Sequence, residues 1–99
     1  LKNETAEALH RMMMMTVEDG TGRLADIKGF GGSAGKTGSA ETGWVQDNRG
    51  VLHAWFVGYF PVDNPRYAMC VFIEDGASGG RSAAPVFAEI SARILDLGY

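Results

Sequence analysis

Lys36 stands in the part of the chain whose residue types and spacing could do chemistry. Its ammonium group is followed by the hydroxyls of Thr37 and Ser39, inside the glycine-rich segment 29–43. An ammonium group beside hydroxyls can bind a carboxylate or a phosphate through charge-assisted hydrogen bonds. Gly35-Lys36-Thr37 also matches the end of the G-x-x-x-x-G-K-[ST] pattern, in which a loop cradles the phosphates of a nucleotide. The plain alternative is a solvated lysine in a glycine-rich hairpin.

The nucleotide-binding interpretation meets two difficulties. It needs a glycine at position 30, where Phe30 stands. A phosphate loop must also open a helix, and Gly38 follows Lys36 too closely for that. The other interpretation of the segment is a strand whose missing side chains let something approach its backbone. These difficulties make a small nucleotide-binding module the weaker alternative, which a nucleotide thermal-shift experiment would reveal.

The other chemistry-bearing residues form no recognisable site. The sequence places no Ser or Asp partner for His53, which is therefore expected to pack at a strand end. His10 is expected to be exposed to solvent on a helix. Cys70 alternates with apolar neighbours and is predicted to be an inert core thiol. A single cysteine excludes an internal disulfide and a multi-cysteine metal site. We therefore predict no metal site.

The composition narrows the function classes. The chain has 99 residues, enough for one small domain. Its 9 basic and 12 acidic residues give a net charge of −3, and the basic residues are scattered, which argues against a nucleic-acid partner. The longest apolar runs are too short to span a bilayer.

Apolar periodicity predicts the two helices that must position Lys36, aromatic and β-branched composition predicts two strands, and the glycine-rich segment is interpreted as a third strand. In chain order they are a helix over 3–18, a strand within 29–43, strands over 52–60 and 67–74, and a helix over 82–97. The segment 61–66 has the composition and length of a hairpin turn, so the last two strands are expected to be antiparallel neighbours. The predicted fold class is α/β: an antiparallel three-stranded sheet flanked by an N-terminal and a C-terminal helix, one on each face.

Four finer expectations follow from the same patterns. Both apolar strands should be covered on both faces. The run Met12–Met15 covers every side of a helix, which favours a buried helix over a Met-rich binding groove. Asn3 and Ser82 are candidate N-caps, and Gly98 is a candidate residue just beyond the last helix.

Several stretches in register resemble the transpeptidase domain of class B penicillin-binding proteins. The K-T-G element Lys36-Thr37-Gly38 is one of them. The other stretches, in chain order, are Gly20-Thr21-Gly22, Ala34 to Glu41, His53 to Pro61, and Gly79 to Phe87. The resemblance covers almost the whole chain and corresponds to the C-terminal part of that domain, in enzymes of division, elongation or spore-wall synthesis.

The resemblance implies a role for each residue of the K-T-G element. Lys36 is the cation, and Thr37 and Ser39 are the hydroxyl ligands of a substrate carboxylate. Gly38 leaves room for the substrate backbone, and the backbone N–H of Ser39 contributes to the oxyanion hole. Ser39 stands where threonine is commoner and keeps the hydroxyl.

The family's nucleophile motif S-x-x-K and its S-x-N element are expected upstream of this chain. Ser33 to Lys36 formally fits S-x-x-K, but its lysine is the K-T-G lysine and its glycine-rich setting is not a helix. Residues 1–99 are therefore expected to form the C-terminal segment of a transpeptidase domain and to be catalytically silent alone. The missing strands should leave one edge of strand 67–74 open, which predicts self-association along it.

The resemblance also implies partners and a location, and it implies no cofactor and no metal. The parent is expected to cross-link peptidoglycan stem peptides that end in D-Ala-D-Ala, through a serine acyl-enzyme, and to bind β-lactams at the same serine. It would work outside the cytoplasmic membrane, tethered by an anchor that this chain lacks. A penicillin-sensing, non-catalytic relative is the main alternative.

Overall fold

The computed structural model describes residues 2–46, 48–76 and 79–99, and it contains the predicted sheet. Three strands form one antiparallel sheet in the order β1-β2-β3. The elements are α1 (Asn3–Glu18), β1 (Ala34–Gln46), β2 (Arg49–Phe60), β3 (Tyr67–Gly76) and α2 (Ala84–Asp96). Short 3₁₀ turns at Arg23–Ala25 and Lys28–Phe30 join α1 to β1, and a π-helical turn, Gly79–Ala83, leads into α2. The predicted fold class is confirmed.

The glycine-rich segment forms strand β1 rather than a phosphate loop. β1 pairs with β2 without interruption from Ala34, opposite Tyr59, to Glu41, opposite Leu52. The chain before Ala34 turns through Gly31 and Gly32, whose positive φ angles of 94° and 76° favour glycine. The segment therefore divides into a turn and a strand, and the strand contains the whole K-T-G element.

The core lies on one face of the sheet, which we call the α2 face. It carries Phe56 and Phe60 of β2, and both rings contact Phe87 of α2, with ring centroids 4.6 and 5.7 Å apart. Val17 at the end of α1 and Val71 of β3 belong to the same cluster. Because residues directly opposite in an antiparallel pair share a face, Thr37 lies on the α2 face opposite Phe56.

The other face, which we call the open face, corrects the expectation that both faces are covered. It carries Trp55 of β2 together with Val57 and Phe72, which are 41% and 53% exposed. α1 packs beside the edge strand β1 and meets the open face at Tyr59, on which the ring of His10 stacks. The two helices therefore do not divide evenly between the two faces.

The expectation of a buried α1 is also wrong for the described residues. Met12 and Met15 are 56% and 60% exposed, and Val17 is the residue of α1 that is buried. A helix beside a sheet edge buries only the part of its surface that reaches the core. No helix among the described residues combines the length and hydropathy that a membrane crossing needs.

The helix ends agree with the predictions in part. Gly98 follows α2 with a φ of 85°, as expected for the residue that ends a helix. Lys2 and Ala83, rather than Asn3 and Ser82, occupy the N-cap positions, and neither helix has a side-chain cap hydrogen bond there. α1 begins with Asn3 itself, and the π-helical turn continues directly into α2, so neither predicted side chain precedes its helix in the way a cap requires.

Candidate functional site

Three separate stretches of the chain meet in one cavity of about 670 Å³. Thr21 comes from the loop after α1, Thr37 and Ser39 come from β1, and Gly80 and Arg81 come from the turn before α2. All three stretches are among those that carry the resemblance described above. The fold therefore brings into one place motifs that lie up to sixty residues apart in the chain.

Two close approaches hold the cavity together. The hydroxyl oxygens of Thr21 and Thr37 lie 2.9 Å apart and form a hydrogen bond. A Cβ atom placed on Gly80 would lie 2.1 Å from the backbone oxygen of Thr21, so no side chain fits there without moving backbone. The glycine at position 80 is therefore what allows the turn before α2 to close against the loop after α1.

The structure brings Thr37 and Ser39 together and places the side chain of Lys36 on the other side of the strand. Strand residues alternate between faces, so Lys36, opposite Val57, lies on the open face. Its side chain is exposed, and Nζ donates a hydrogen bond to the backbone oxygen of Thr37 at 2.7 Å. The four predicted site residues are thus contiguous, but only two of them line the cavity.

Gly38 is required by packing on the open face. A Cβ atom at Gly38 would lie 2.2 Å from two ring atoms of Trp55, Cε2 and Nε1. The indole ring of Trp55 therefore lies across the strand at this glycine. The resemblance explains Gly38 by the space that a substrate needs, and the structure adds a contact within the chain itself.

Gly38→Ala is expected to lower the free energy of unfolding by about 1–3 kcal/mol, because the new methyl group must displace the Trp55 ring. Urea denaturation measures the change. In a Trp55→Ala background the same substitution should have little further effect, since the clash is gone. Equal losses in both backgrounds would contradict this packing account.

Sequence reasoning missed Arg23 and Arg81, both of which line the cavity. Among its described lining residues none is acidic, and the set combines two guanidinium groups with three hydroxyl-bearing side chains. Such a set favours an anionic ligand, because a guanidinium group forms bidentate hydrogen bonds with a carboxylate. Their positions in the sequence could have identified them, because Arg23 follows Gly20-Thr21-Gly22 and Arg81 follows Gly79-Gly80, two of the stretches that carry the resemblance.

The remaining candidates lie away from this cavity. His10 accepts or donates a hydrogen bond at the Tyr59 hydroxyl, and burial raises the pKa of Tyr59 above its usual value. The ring of His53 packs edge-on against Phe72, with centroids 5.3 Å apart. Cys70 is exposed on the open face, so the prediction of a core thiol is wrong. No group of metal-ligating side chains occurs among the described residues.

A second cavity, of about 700 Å³, lies along the outer side of α2. Apolar side chains dominate its lining, and they include Phe30, Ile90, Leu97 and Tyr99. It contains no residue of the K-T-G strand. The smaller cavity at Thr37 is therefore the candidate site.

Comparison with known proteins shows which family the chain matches. A family model described as the penicillin-binding protein transpeptidase domain matches residues 1–92. The chain is 33% identical, over 91% of its length, to peptidoglycan D,D-transpeptidase MrdA of Haemophilus influenzae, and 27% identical, over 91% of its length, to stage V sporulation protein D of Bacillus subtilis. It spans 15% of each of these relatives.

Two solved structures also match almost the whole chain. The D,D-transpeptidase domain of a peptidoglycan glycosyltransferase from Eggerthella lenta matches 99% of the chain with a TM-score of 0.74 and 32% identity. A putative peptidoglycan glycosyltransferase from Atopobium parvulum matches 98% with a TM-score of 0.81 and 29% identity. The chain spans 22% and 24% of these two structures.

Proposed function

Because the chain belongs to the penicillin-binding protein transpeptidase family, we propose that it is a segment of a peptidoglycan D,D-transpeptidase and supplies that enzyme's K-T-G strand. Relatives at 33–34% identity carry the name peptidoglycan D,D-transpeptidase, which supports the proposal. The observation that carries it is the meeting of Thr37, Ser39 and the two arginines in one cavity without an acidic lining residue among those described.

The cavity suits the acidic end of a stem peptide. The hydroxyls of Thr37 and Ser39 donate hydrogen bonds to the carboxylate of the terminal D-Ala, and Lys36 supplies positive charge on the same strand. Gly38 is proposed to leave room for the substrate backbone beside this strand. The backbone N–H of Ser39 donates to the oxygen that becomes negative when the scissile carbonyl is attacked.

The proposed reaction needs residues outside this chain. A serine of an S-x-x-K motif attacks the carbonyl carbon of the D-Ala-D-Ala bond, the C–N bond breaks, and the terminal D-Ala leaves as a free amine after it receives a proton. An amine of a neighbouring stem peptide then attacks the acyl-enzyme and releases the serine. A β-lactam acylates the same serine. Residues 1–99 contain the K-T-G element and no S-x-N, so we propose that this chain is the C-terminal segment of the domain and is inactive alone.

The proposed substrate sets the proposed location. Peptidoglycan cross-linking takes place outside the cytoplasmic membrane, so we infer that the parent enzyme works on that side. The partners proposed for it are the D-Ala-D-Ala stem peptide and β-lactams. No cofactor is proposed.

A labelled penicillin tests the proposal. The 99-residue chain should form no covalent adduct, whereas a longer polypeptide that includes S-x-x-K should bind one mole of penicillin covalently per mole of polypeptide. In the longer polypeptide, Lys36→Ala should slow acylation by about 10²-fold or more, because the positive charge that the K-T-G strand offers to the substrate carboxylate is lost. Lys28→Ala is the matched control: Lys28 is an exposed lysine paired with Asp26 at 3.8 Å, away from the cavity, and its loss should leave the rate unchanged.

Two results would contradict the proposal. One is a stable stoichiometric adduct on the 99-residue chain. The other is a longer polypeptide in which Lys36→Ala and Lys28→Ala react alike. A longer polypeptide that is acylated normally but never joins two stem peptides would instead identify a penicillin-sensing relative.

A further inference from the structure

We propose that Thr21 is a positioning residue for the carboxylate site: its hydroxyl donates a hydrogen bond to the Thr37 hydroxyl and thereby keeps the Thr37 proton for the substrate carboxylate. This inference rests on the proposed function, because it assigns a task within that same site. Its basis is the contact between the two hydroxyl oxygens, which lie 2.9 Å apart. It also gives a role to Gly20-Thr21-Gly22, a motif that the proposed reaction has not used.

The number of protons on the two hydroxyls decides which one must donate. A threonine hydroxyl has one proton to donate, and the distance between Thr21 and Thr37 fits donation in either direction. An ionised carboxylate only accepts, so Thr37 can bind it only with its own proton. If Thr37 donated to Thr21, it would present only lone pairs to the carboxylate. Carboxylate binding therefore selects the arrangement in which Thr21 donates to Thr37 and Thr37 donates to the carboxylate.

The chain of hydrogen bonds strengthens the contact with the carboxylate. A hydroxyl that accepts a hydrogen bond becomes a better donor, since neighbouring bonds in a chain polarise one another. The charged side chains of the cavity favour the same direction. Arg23 and Arg81 carry donors and no acceptor, so neither guanidinium group can take the Thr21 proton. Thr37 is an acceptor that the structure places at hydrogen-bond distance.

The backbone around Thr21 holds its hydroxyl in place. The amides of Gly20 and Gly22 both donate to the backbone oxygen of Thr16, at 3.1 and 2.9 Å, so the chain turns tightly at Thr21 after α1. The backbone of Gly80 approaches the Thr21 carbonyl oxygen so closely that a Cβ atom at Gly80 would lie 2.1 Å from it. Thr21 is therefore held by the end of α1 and by the turn before α2.

The ring of Phe56 gives the two threonines a common support. A Cβ atom at Gly22 would lie 3.0 Å from the ring atom Cε2 of Phe56, and Thr37 lies opposite Phe56 in the sheet. Phe56 is itself fully buried in the core. The loop after α1 and strand β1 thus rest on the same side chain, which fixes the distance between the two hydroxyls. A pair that is already in position loses less conformational freedom when it binds a carboxylate.

Acylation rates with two probes test this role, in the longer polypeptide that includes S-x-x-K. One probe is a penicillin with its free carboxylate, and the other is the methyl ester of the same penicillin. Thr21→Val removes the hydroxyl and keeps the shape of the side chain. It should lower the ratio of the two rate constants, penicillin over ester, by about tenfold. The ratio does not depend on how much of the variant is folded, since both probes react with the same active protein.

Four further variants complete the test. Thr21→Ser retains the hydroxyl and should restore most of the ratio, whereas Thr21→Ala should repeat the effect of Thr21→Val. In a Thr37→Val background, Thr21→Val should have no further effect, because the chain of hydrogen bonds is already broken. Both comparisons can also be made with penicillin alone. Thr5→Val is the matched control, because Thr5 is an exposed threonine of α1 that does not line the cavity, and the ratio should not change.

The outcomes separate this inference from the proposed function. A wild-type polypeptide that no penicillin acylates would overturn both. A wild type that is acylated, with an unchanged rate and ratio in Thr21→Val and Thr21→Ala, would overturn only the role of Thr21. Equal losses with penicillin and with its ester would also overturn that role, since they would show that Thr21 acts on the fold alone. A ratio lost in Thr21→Val and kept in Thr21→Ser would support it.

Discussion

Phe87→Ala is expected to lower the free energy of unfolding by about 3–5 kcal/mol. The Phe87 side chain is fully buried, and its ring contacts both Phe56 and Phe60 across the α2 face. Truncation loses the transfer energy of the ring and leaves a cavity between α2 and the sheet. Native domains have a total stability of about 5–15 kcal/mol, so the variant should lose a large part of its stability.

Urea denaturation measures this loss. Ile90→Ala is the matched control on the same helix. Ile90 is partly exposed, and its truncation should cost roughly 1 kcal/mol. Similar losses for Phe87→Ala and Ile90→Ala would mean that α2 does not anchor the core through Phe87.

Gly80→Ala should cost more stability than Gly38→Ala, because its clash is with backbone rather than with a side chain, and it links the fold to the site. The added methyl group would meet the backbone oxygen of Thr21, and no side-chain rotation can relieve that contact. We expect a loss of about 1–3 kcal/mol in the free energy of unfolding, as for other over-packed positions. Amide chemical shifts should change around Thr21 and Thr37, because the two walls of the cavity must move apart.

Two comparisons sharpen this test. Gly50→Ala introduces a methyl group that, apart from its chain neighbours, meets no atom of the described residues within 4 Å, so the stability should be unchanged or slightly raised. Adding Thr21→Ala to Gly80→Ala should not rescue the variant, because the clash involves the Thr21 backbone. If Gly80→Ala proved as stable as Gly50→Ala, the close approach of these two segments would be disproved. In a longer, acylation-competent polypeptide, Gly80→Ala should also slow penicillin binding.

The predictions that failed share a physical cause. Met12 and Met15 are apolar, but burial depends on what lies beside α1, and α1 packs at the edge of the sheet. Cys70 sits in an apolar strand, yet its side of that strand is the open face. Apolar composition shows that a side chain can be buried. It does not show which face of a three-stranded sheet another element covers.

The sequence by itself determined the order of the elements and the antiparallel pairing of the last two strands, and the resemblance of Lys36-Thr37-Gly38 to a K-T-G element indicated the third strand. Periodicity and turn chemistry are local properties, so they can be recognised without coordinates. Only the tertiary structure decided that Thr37 and Ser39 line a cavity while the Lys36 side chain lies on the opposite face. Because side chains alternate along a strand, Lys36 lies on the opposite face from Thr37 and Ser39. The packing of α2 determines which of these faces is the core side. The contact between Thr21 and Gly80 likewise joins segments that are distant in the sequence, and only tertiary packing brings them together.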